Sequence, residues 1–392
     1  MEATKLSSKE LKEVLTHVIN NNKVIQGQNK KPVSVSILGH AGLGKTTLVE
    51  ELQKELKINH FEYINLAQID ELGDLVGIPI KQYWLTTPQG KGKWIDETII
   101  EQYAKEGWTI TNNSRMSYAK PQFIAGKGEN GILLLDDYTR CQPRFMQAVM
   151  EIISKQEYIS WKLPKNWTVI CTENPDDGTY NVSDTDPAAQ SRKLTFELKY
   201  DAESWAEWAE KNGVDRRCIS FMLLNPEIIK TETPHINPRS LTKFFDTLTT
   251  IADFESNLSL VRTLAEGAVG SEVASLFCSF INNKMDKMIS PERIMDTTIS
   301  FEAIQDEIKE LIKEGLDYRA DLAFVVTTRL INYLAFTLDK VTPKHIDRLA
   351  DLIKSNCLGT DLKFVLAKKV TNQDNRYNAL LVHSEVVDII LE

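Results

Sequence analysis

The run Gly39-His40-Ala41-Gly42-Leu43-Gly44-Lys45-Thr46-Thr47 has the residue types and spacing of a phosphate cradle, G-x-x-x-x-G-K-[ST]. Its glycines let successive backbone N–H groups turn inward around anionic oxygens, and a helix beginning at its end adds partial positive charge. Lys45 carries the one full side-chain charge of the run and is placed to reach the β and γ phosphates of a nucleoside triphosphate. The Thr46 hydroxyl is placed to ligate Mg²⁺, and His40 contributes through its backbone N–H more than its ring. A second group lies in ILLLDDYTR, residues 132–140, where four apolar residues run into Asp136 and Asp137. Alone, Asp-Asp is also good turn chemistry at a strand end. Beside a phosphate loop it reads differently: Asp136 holds Mg²⁺ through water, Asp137 orients or deprotonates an attacking water, and the metal offsets their like charge.

These groups need strands to deliver them and helices to cover them. The β-branched run at 33–38 enters the phosphate loop, and LVEELQKEL leaves it with helical spacing. Further strands are expected at 61–66, at 132–136, in WTVICTENP and at 194–200, with helical spacing in QPRFMQAVMEIISKQ and a short hairpin in EYISWKLPKNW around Tyr158 and Trp161. This alternation predicts an α/β domain with a parallel sheet between helices. It is interrupted at about 78–130 by an insertion rich in Trp, Tyr, Gly and Lys with little periodicity, expected as a β-rich cap or a partner-facing surface. The start, MEATKLSSKELKEVL, reads as polar and helix-like.

GHAGLGKTT, ILLLDDYTR with the helix after it, TENPDDGTYNVSDTDPAAQSR and NPRSL together resemble an AAA+ ATPase, and more narrowly its MoxR and dynein-related branch, over roughly residues 1 to 290. The resemblance implies a P-loop NTPase core (1–200), a helical lid (201–290) and, beyond it, a helical C-terminal region (291–392). It implies ATP and Mg²⁺ as cofactors. It further implies Asn174 as the sensor 1 residue, Arg192 as an arginine finger and Arg239 as sensor 2. Arg239 stands at a helix start, against the usual dipole preference of cations. Most members have Asp-Glu where this chain has Asp136-Asp137, a side chain one methylene shorter.

With 46 basic and 55 acidic residues the net charge is −9, which disfavours phosphate neutralisation as the main task. Five scattered cysteines suit neither a disulfide framework nor a paired zinc site. No leader or long uninterrupted apolar stretch is read, so a cytoplasmic, non-membrane protein is expected. By resemblance the chain is a homo-oligomer, a hexameric ring that remodels a protein partner, with a von Willebrand factor A type protein as one such partner. The alternatives are a nucleic-acid motor of the McrB kind, not favoured, and a low-turnover nucleotide-gated scaffold.

Overall fold

Strands that are buried along almost their whole length, Ser34–Leu38, Gly131–Asp136 and Trp167–Glu173, build the centre of a six-stranded, all-parallel sheet. The computed structural model describes residues 3–158, 161–180, 187–230, 233–314 and 317–391, in two units, Met1–Lys199 and Tyr200–Glu392. In the first unit the strands are β1 (Thr4–Leu6), β2 (Ser34–Leu38), β3 (His60–Asn65), β4 (Ile78–Thr86), β5 (Gly92–Asp96), β6 (Thr109–Ala119), β7 (Gly131–Asp136), β8 (Glu157–Tyr158), β9 (Trp161–Lys162), β10 (Trp167–Glu173) and β11 (Lys193–Leu198). The main sheet runs β1-β11-β2-β10-β7-β3. Its helices include α1 (Ser8–Gly27), α2 (Lys45–Glu55), α3 (Gly73–Val76), α4 (Ile100–Lys105), α5 (Pro143–Lys155) and α6 (Pro187–Gln190).

Strand alternation divides the core in two. Ile132 and Leu134 join Leu11, Leu15, Leu48 and Val49 on the face under α1 and α2, whereas Leu133 and Leu135 join Phe145, Val149 and Ile152 of α5 on the other. Every residue of β10 is buried, as a central parallel strand requires. The C-terminal ends of β2, β7 and β10 therefore stand side by side, with Leu38 paired to Glu173 and Leu135 to Cys171.

One expectation needs correction. The N-terminus is not helical from its start: Thr4–Leu6 pairs in parallel with β11, Thr4 opposite Phe196, and α1 begins only at Ser8 behind a capping box of Ser7 and Glu10. A three-residue strand made by its partner has no pattern of its own. The insertion, expected as β-rich with little periodicity, contains an antiparallel sheet, β5-β4-β6, with a register shift between Tyr83 and Leu85. Most of its strand residues are exposed or half-buried, so the apolar alternation that signals a strand is weak. The turn of the expected hairpin between β8 and β9, residues 159–160, lies outside the described residues.

The second unit contains helices α7 (Ala202–Lys211), α8 (Arg216–Leu224), α9 (Pro238–Leu248), α10 (Leu258–Asn282), α11 (Pro291–Met295), α12 (Phe301–Ile312), α13 (Ala320–Phe336), α14 (Pro343–Lys354), α15 (Thr360–Gln373) and α16 (Ser384–Leu391). Gly270 breaks α10 with φ 83° and ψ 169°, a conformation reserved for glycine. Phe221, Phe244, Phe245, Phe254 and Phe280 gather around Phe277, with ring centroids 4.8 Å (Phe221) and 5.1 Å (Phe244) away. One apolar core runs from Trp205 to Val386, so segments 201–290 and 291–392 share it.

Candidate nucleotide site

The loop from Gly39 to Gly44 joins β2 to α2, and its glycines do what the spacing asks. Gly42 (φ 80°) and Gly44 (φ 85°) adopt left-handed backbone, Gly44 as the residue that caps α2. Lys45, 8% exposed, begins the helix, and its ammonium donates to the carbonyls of Gly39 (2.5 Å) and His40 (3.1 Å). It also meets Asn174 Oδ1 at 3.1 Å, while Asn174 Nδ2 donates to Asp137 Oδ1 at 3.0 Å. The opposite amide orientation would set NH₂ against an ammonium and C=O against a carboxylate, so charge selects this one. Lys45, Asn174 and Asp137 are thus linked, although they come from α2, the end of β10 and the end of β7.

Asp136 is held by other donors. Thr46 Oγ1 donates to its Oδ1 at 3.0 Å, Thr172 Oγ1 donates to the same oxygen at 2.5 Å, and the Tyr63 hydroxyl donates to Oδ2 at 2.9 Å. A hydroxyl and a carboxylate oxygen 3.0 Å apart at a phosphate loop are the hard oxygen donors that Mg²⁺ takes. Burial, then the bond to this carboxylate, pushes the Tyr63 phenol up to about 12. Tyr63 and Thr172 were not assigned a role from sequence. The Thr172 signal was its place two residues before Asn174; Tyr63 carried none beyond an aromatic residue on a strand.

Asp137 differs from its neighbour in backbone. It sits at φ 54° and ψ 42°, left-handed, with its N–H donating to Thr172 Oγ1 at 3.0 Å. Asp enters this region more readily than most residues because its short polar side chain bonds locally. Arg140 lies 3.4 Å from Asp137 Oδ2. Thr139 Oγ1 accepts from the Asn174 N–H at 3.2 Å, which ties the turn after β7 to the end of β10. At the loop's other side the Tyr180 hydroxyl accepts from the Ala41 N–H at 3.1 Å and lies 3.4 Å from His40 Nδ1.

Five expected residues, Lys45, Thr46, Asp136, Asp137 and Asn174, are therefore brought into one bonded group. Arg192 is exposed just after α6, its guanidinium donating to the Ala188 carbonyl. Arg239 is exposed in the first turn of α9, in the second unit, behind a capping box of Asn237 and Ser240. The middle of the quoted motif, residues 181–186, lies outside the described residues.

A sequence model of the AAA domain (dynein-related subfamily) matches residues 34–193. No curated protein matches the chain. Similar solved structures include the RuvB Holliday junction branch migration motor of Thermotoga maritima, at 13% identity and TM-score 0.35 over 86% of this chain and 90% of that one. Another is a candidate ATPase of Cytophaga hutchinsonii, at 15% identity and TM-score 0.32 over 88% of this chain and 79% of that one. Residues 34–193, which hold the loop, both aspartates, the asparagine and the exposed arginine, are an AAA domain of the dynein-related subfamily on a P-loop NTPase core.

Proposed function

We propose that this chain is an Mg²⁺-dependent ATPase of the MoxR-like kind that assembles into a ring, hexameric by family habit, and remodels a protein partner. The bonded group Lys45–Asn174–Asp137, beside Thr46–Asp136, carries the reading. The N–H groups of residues 39–47 receive the phosphates, and Lys45 exchanges its loop carbonyls for β and γ oxygens. Thr46 and Asp136 are the residues that would hold Mg²⁺, which when bound offsets charge developing on the phosphates. Asp137 orients the attacking water and accepts its proton. Asn174, bonded to both Lys45 and Asp137, reads the γ position. Arg192 serves the nucleotide of a neighbouring subunit, and Arg239 closes on nucleotide from a lid at 201–290, with 291–392 as a helical extension. A von Willebrand factor A type protein is the partner class that the family suggests.

A nucleic-acid motor is the second reading, and the insertion bears on it. Its sheet interleaves cations and aromatics, yet Lys81 lies over Tyr83, Lys93 over Tyr103 and Arg115 over Trp94, at 4.4 to 5.3 Å from the ring centroids. Those faces already have cations on them, which leaves less open π surface for stacked bases.

Lys45→Ala tests the core of the reading. Losing a charge-assisted contact should weaken ATP binding by ~10²-fold and abolish hydrolysis. Equal affinity and turnover in the variant would sink the assignment. Assaying the wild-type ATPase with single-stranded DNA, double-stranded DNA or a von Willebrand factor A type protein separates the partner readings, and stimulation by DNA alone would favour the motor.

A further inference from the structure

Arg192 and Lys193 are neighbours in the chain with opposite surroundings. Arg192 is exposed, whereas the Lys193 side chain is 1% exposed and runs into the sheet interior. There its ammonium forms an ion pair with the Glu173 carboxylate, which also accepts from the Ser36 hydroxyl. The same ammonium lies 4.6 Å from the centroid of the Tyr138 ring. Each contact is adjacent to the nucleotide site: Glu173 precedes Asn174, Tyr138 follows Asp137, and Ser36 lies in the strand that enters the phosphate loop. The Glu173 carbonyl, moreover, accepts from the Gly39 N–H at 3.1 Å.

Strand register shows how far the side chains reach. Lys193 pairs with Ser34 at the start of β2, and Glu173 pairs with Leu38 at its end. The ion pair therefore runs along the sheet, from the turn that bears Arg192 to the strand ends that bear the site. Desolvating two charges costs enough that an apolar pair of similar volume stabilises as well or better. Stability alone is a poor account of charges in this place.

We propose that the Glu173–Lys193 pair is a positioning link, fixing the segment that carries Arg192 to the strand ends that carry Asn174 and Asp137. The finger a subunit presents to its neighbour is thereby held in register with that subunit's own nucleotide site. This rests on the reading of Arg192 as a finger. Glu173 and Lys193 act through their neighbours and are not catalytic residues.

The double variant Glu173→Gln/Lys193→Met removes both charges at nearly constant volume, so its melting temperature should stay near wild type. ATP affinity should remain within about two-fold while kcat falls by about ten-fold or more, since displacements near an ångström cost that much. Mixing locates the loss. Carrying Lys45→Ala as well, the double variant can only donate a finger. Mixed with Arg192→Ala subunits it should restore less than about a third of the turnover that Lys45→Ala alone restores. Wild-type kcat together with full restoration overturns the link. If Lys45→Ala and Arg192→Ala restore nothing on mixing while they co-assemble, the finger reading fails and takes the link with it, a result distinct from the first. Should the double variant not fold, Glu173→Asp keeps the charge and withdraws it by one methylene. A lower kcat at unchanged ATP affinity is then expected, and an unchanged kcat overturns the proposal.

Discussion

Polar side chains do different work in the two units. At the strand ends of the first they bond to one another across the sheet, as in Thr46–Asp136–Thr172 and Lys45–Asn174–Asp137. In the second the recurring task is capping: Asp201, Asp215, Asn237, Ser290, Ser300 and Thr342 each accept a backbone N–H at the start of a helix, around an aromatic core. Replacing a side chain that bonds mainly to other side chains at an open strand end leaves the packed core intact, whereas removing a cap orphans a helix N–H and removing a core ring opens a cavity. Substitutions in the first unit should therefore remove chemistry and spare the fold, and those in the second should do the reverse.

After Lys45→Ala, the largest effect is expected at Arg192. A finger supplied in trans is worth ~10³-fold or more in related phosphoryl transfers, so Arg192→Ala should bind ATP normally and lose turnover on that scale. Mixing it with Lys45→Ala should restore part of the activity. Loss of ATP binding in Arg192→Ala would instead place the residue in its own subunit's site.

Phe277→Ala is the counterpart in the second unit. Fully buried and ringed by other phenylalanines, its truncation should cost about 3 kcal/mol or more in urea unfolding. ATP affinity measured below the transition should be unchanged. A smaller loss of stability would mean that this core closes over the cavity.

The two aspartates sharpen the comparison inside the site. Asp136→Asn should weaken Mg²⁺ dependence and ATP binding together, while Asp137→Asn should bind ATP and not turn over. Asp137→Glu tests whether the short side chain is a defect or an adaptation. Because residue 137 is left-handed and suited to a short side chain, Glu would displace the carboxylate by about an ångström, so turnover should fall by about ten-fold or more. A rise above wild type would show that reach, not backbone, limits the reaction.

The smallest effect concerns Asp215, which caps α8 and pairs with Arg217 Nη2 at 2.6 Å. Burial alone raises its carboxyl, but the bonds from the Arg217 side chain and N–H outweigh burial and hold it below the ordinary carboxylate range. A depressed folded-state value contributes stability that is present above the unfolded value, about 3.9, and is lost as pH falls through the folded one. Asn can still cap α8 but loses the charge-assisted pairing with Arg217, so Asp215→Asn should cost about 1 kcal/mol at neutral pH. The difference from wild type should shrink as pH is lowered below about 4, and a difference constant with pH would leave the carboxylate no role.

Much of this was legible in the residues. The phosphate loop declares itself by glycine spacing, and β7 by the unbroken apolar run that ends at Asp136. What was not legible depends on partners distant in sequence. β1 exists because β11 accepts it, and Tyr63 matters because parallel pairing sets Asn65 opposite Asp136 and brings the Tyr63 hydroxyl to that carboxylate. The burial of Lys193 against Glu173 leaves no trace in periodicity, since a lysine after an arginine reads as surface charge. The left-handed backbone at Asp137, which a short polar side chain accommodates, is likewise a feature of the folded chain and not of the Asp-Asp pair as read in sequence.

The break at Gly270 bears on how α10, a long and largely apolar helix, relates to lipid. By length and composition Leu258–Asn282 can span a bilayer. The glycine divides it into residues 258–269 and 271–282, arms of about 18 Å each against a hydrocarbon slab about 30 Å thick. Arg262, Glu266 and Glu272 lie along those arms, and Val261, Ala265, Val269, Val273, Ala274 and Phe277 are turned into the protein. The buried side chains of both arms belong to the core of the helical unit, and a bilayer thin enough to accept either arm alone would still have to take up charge.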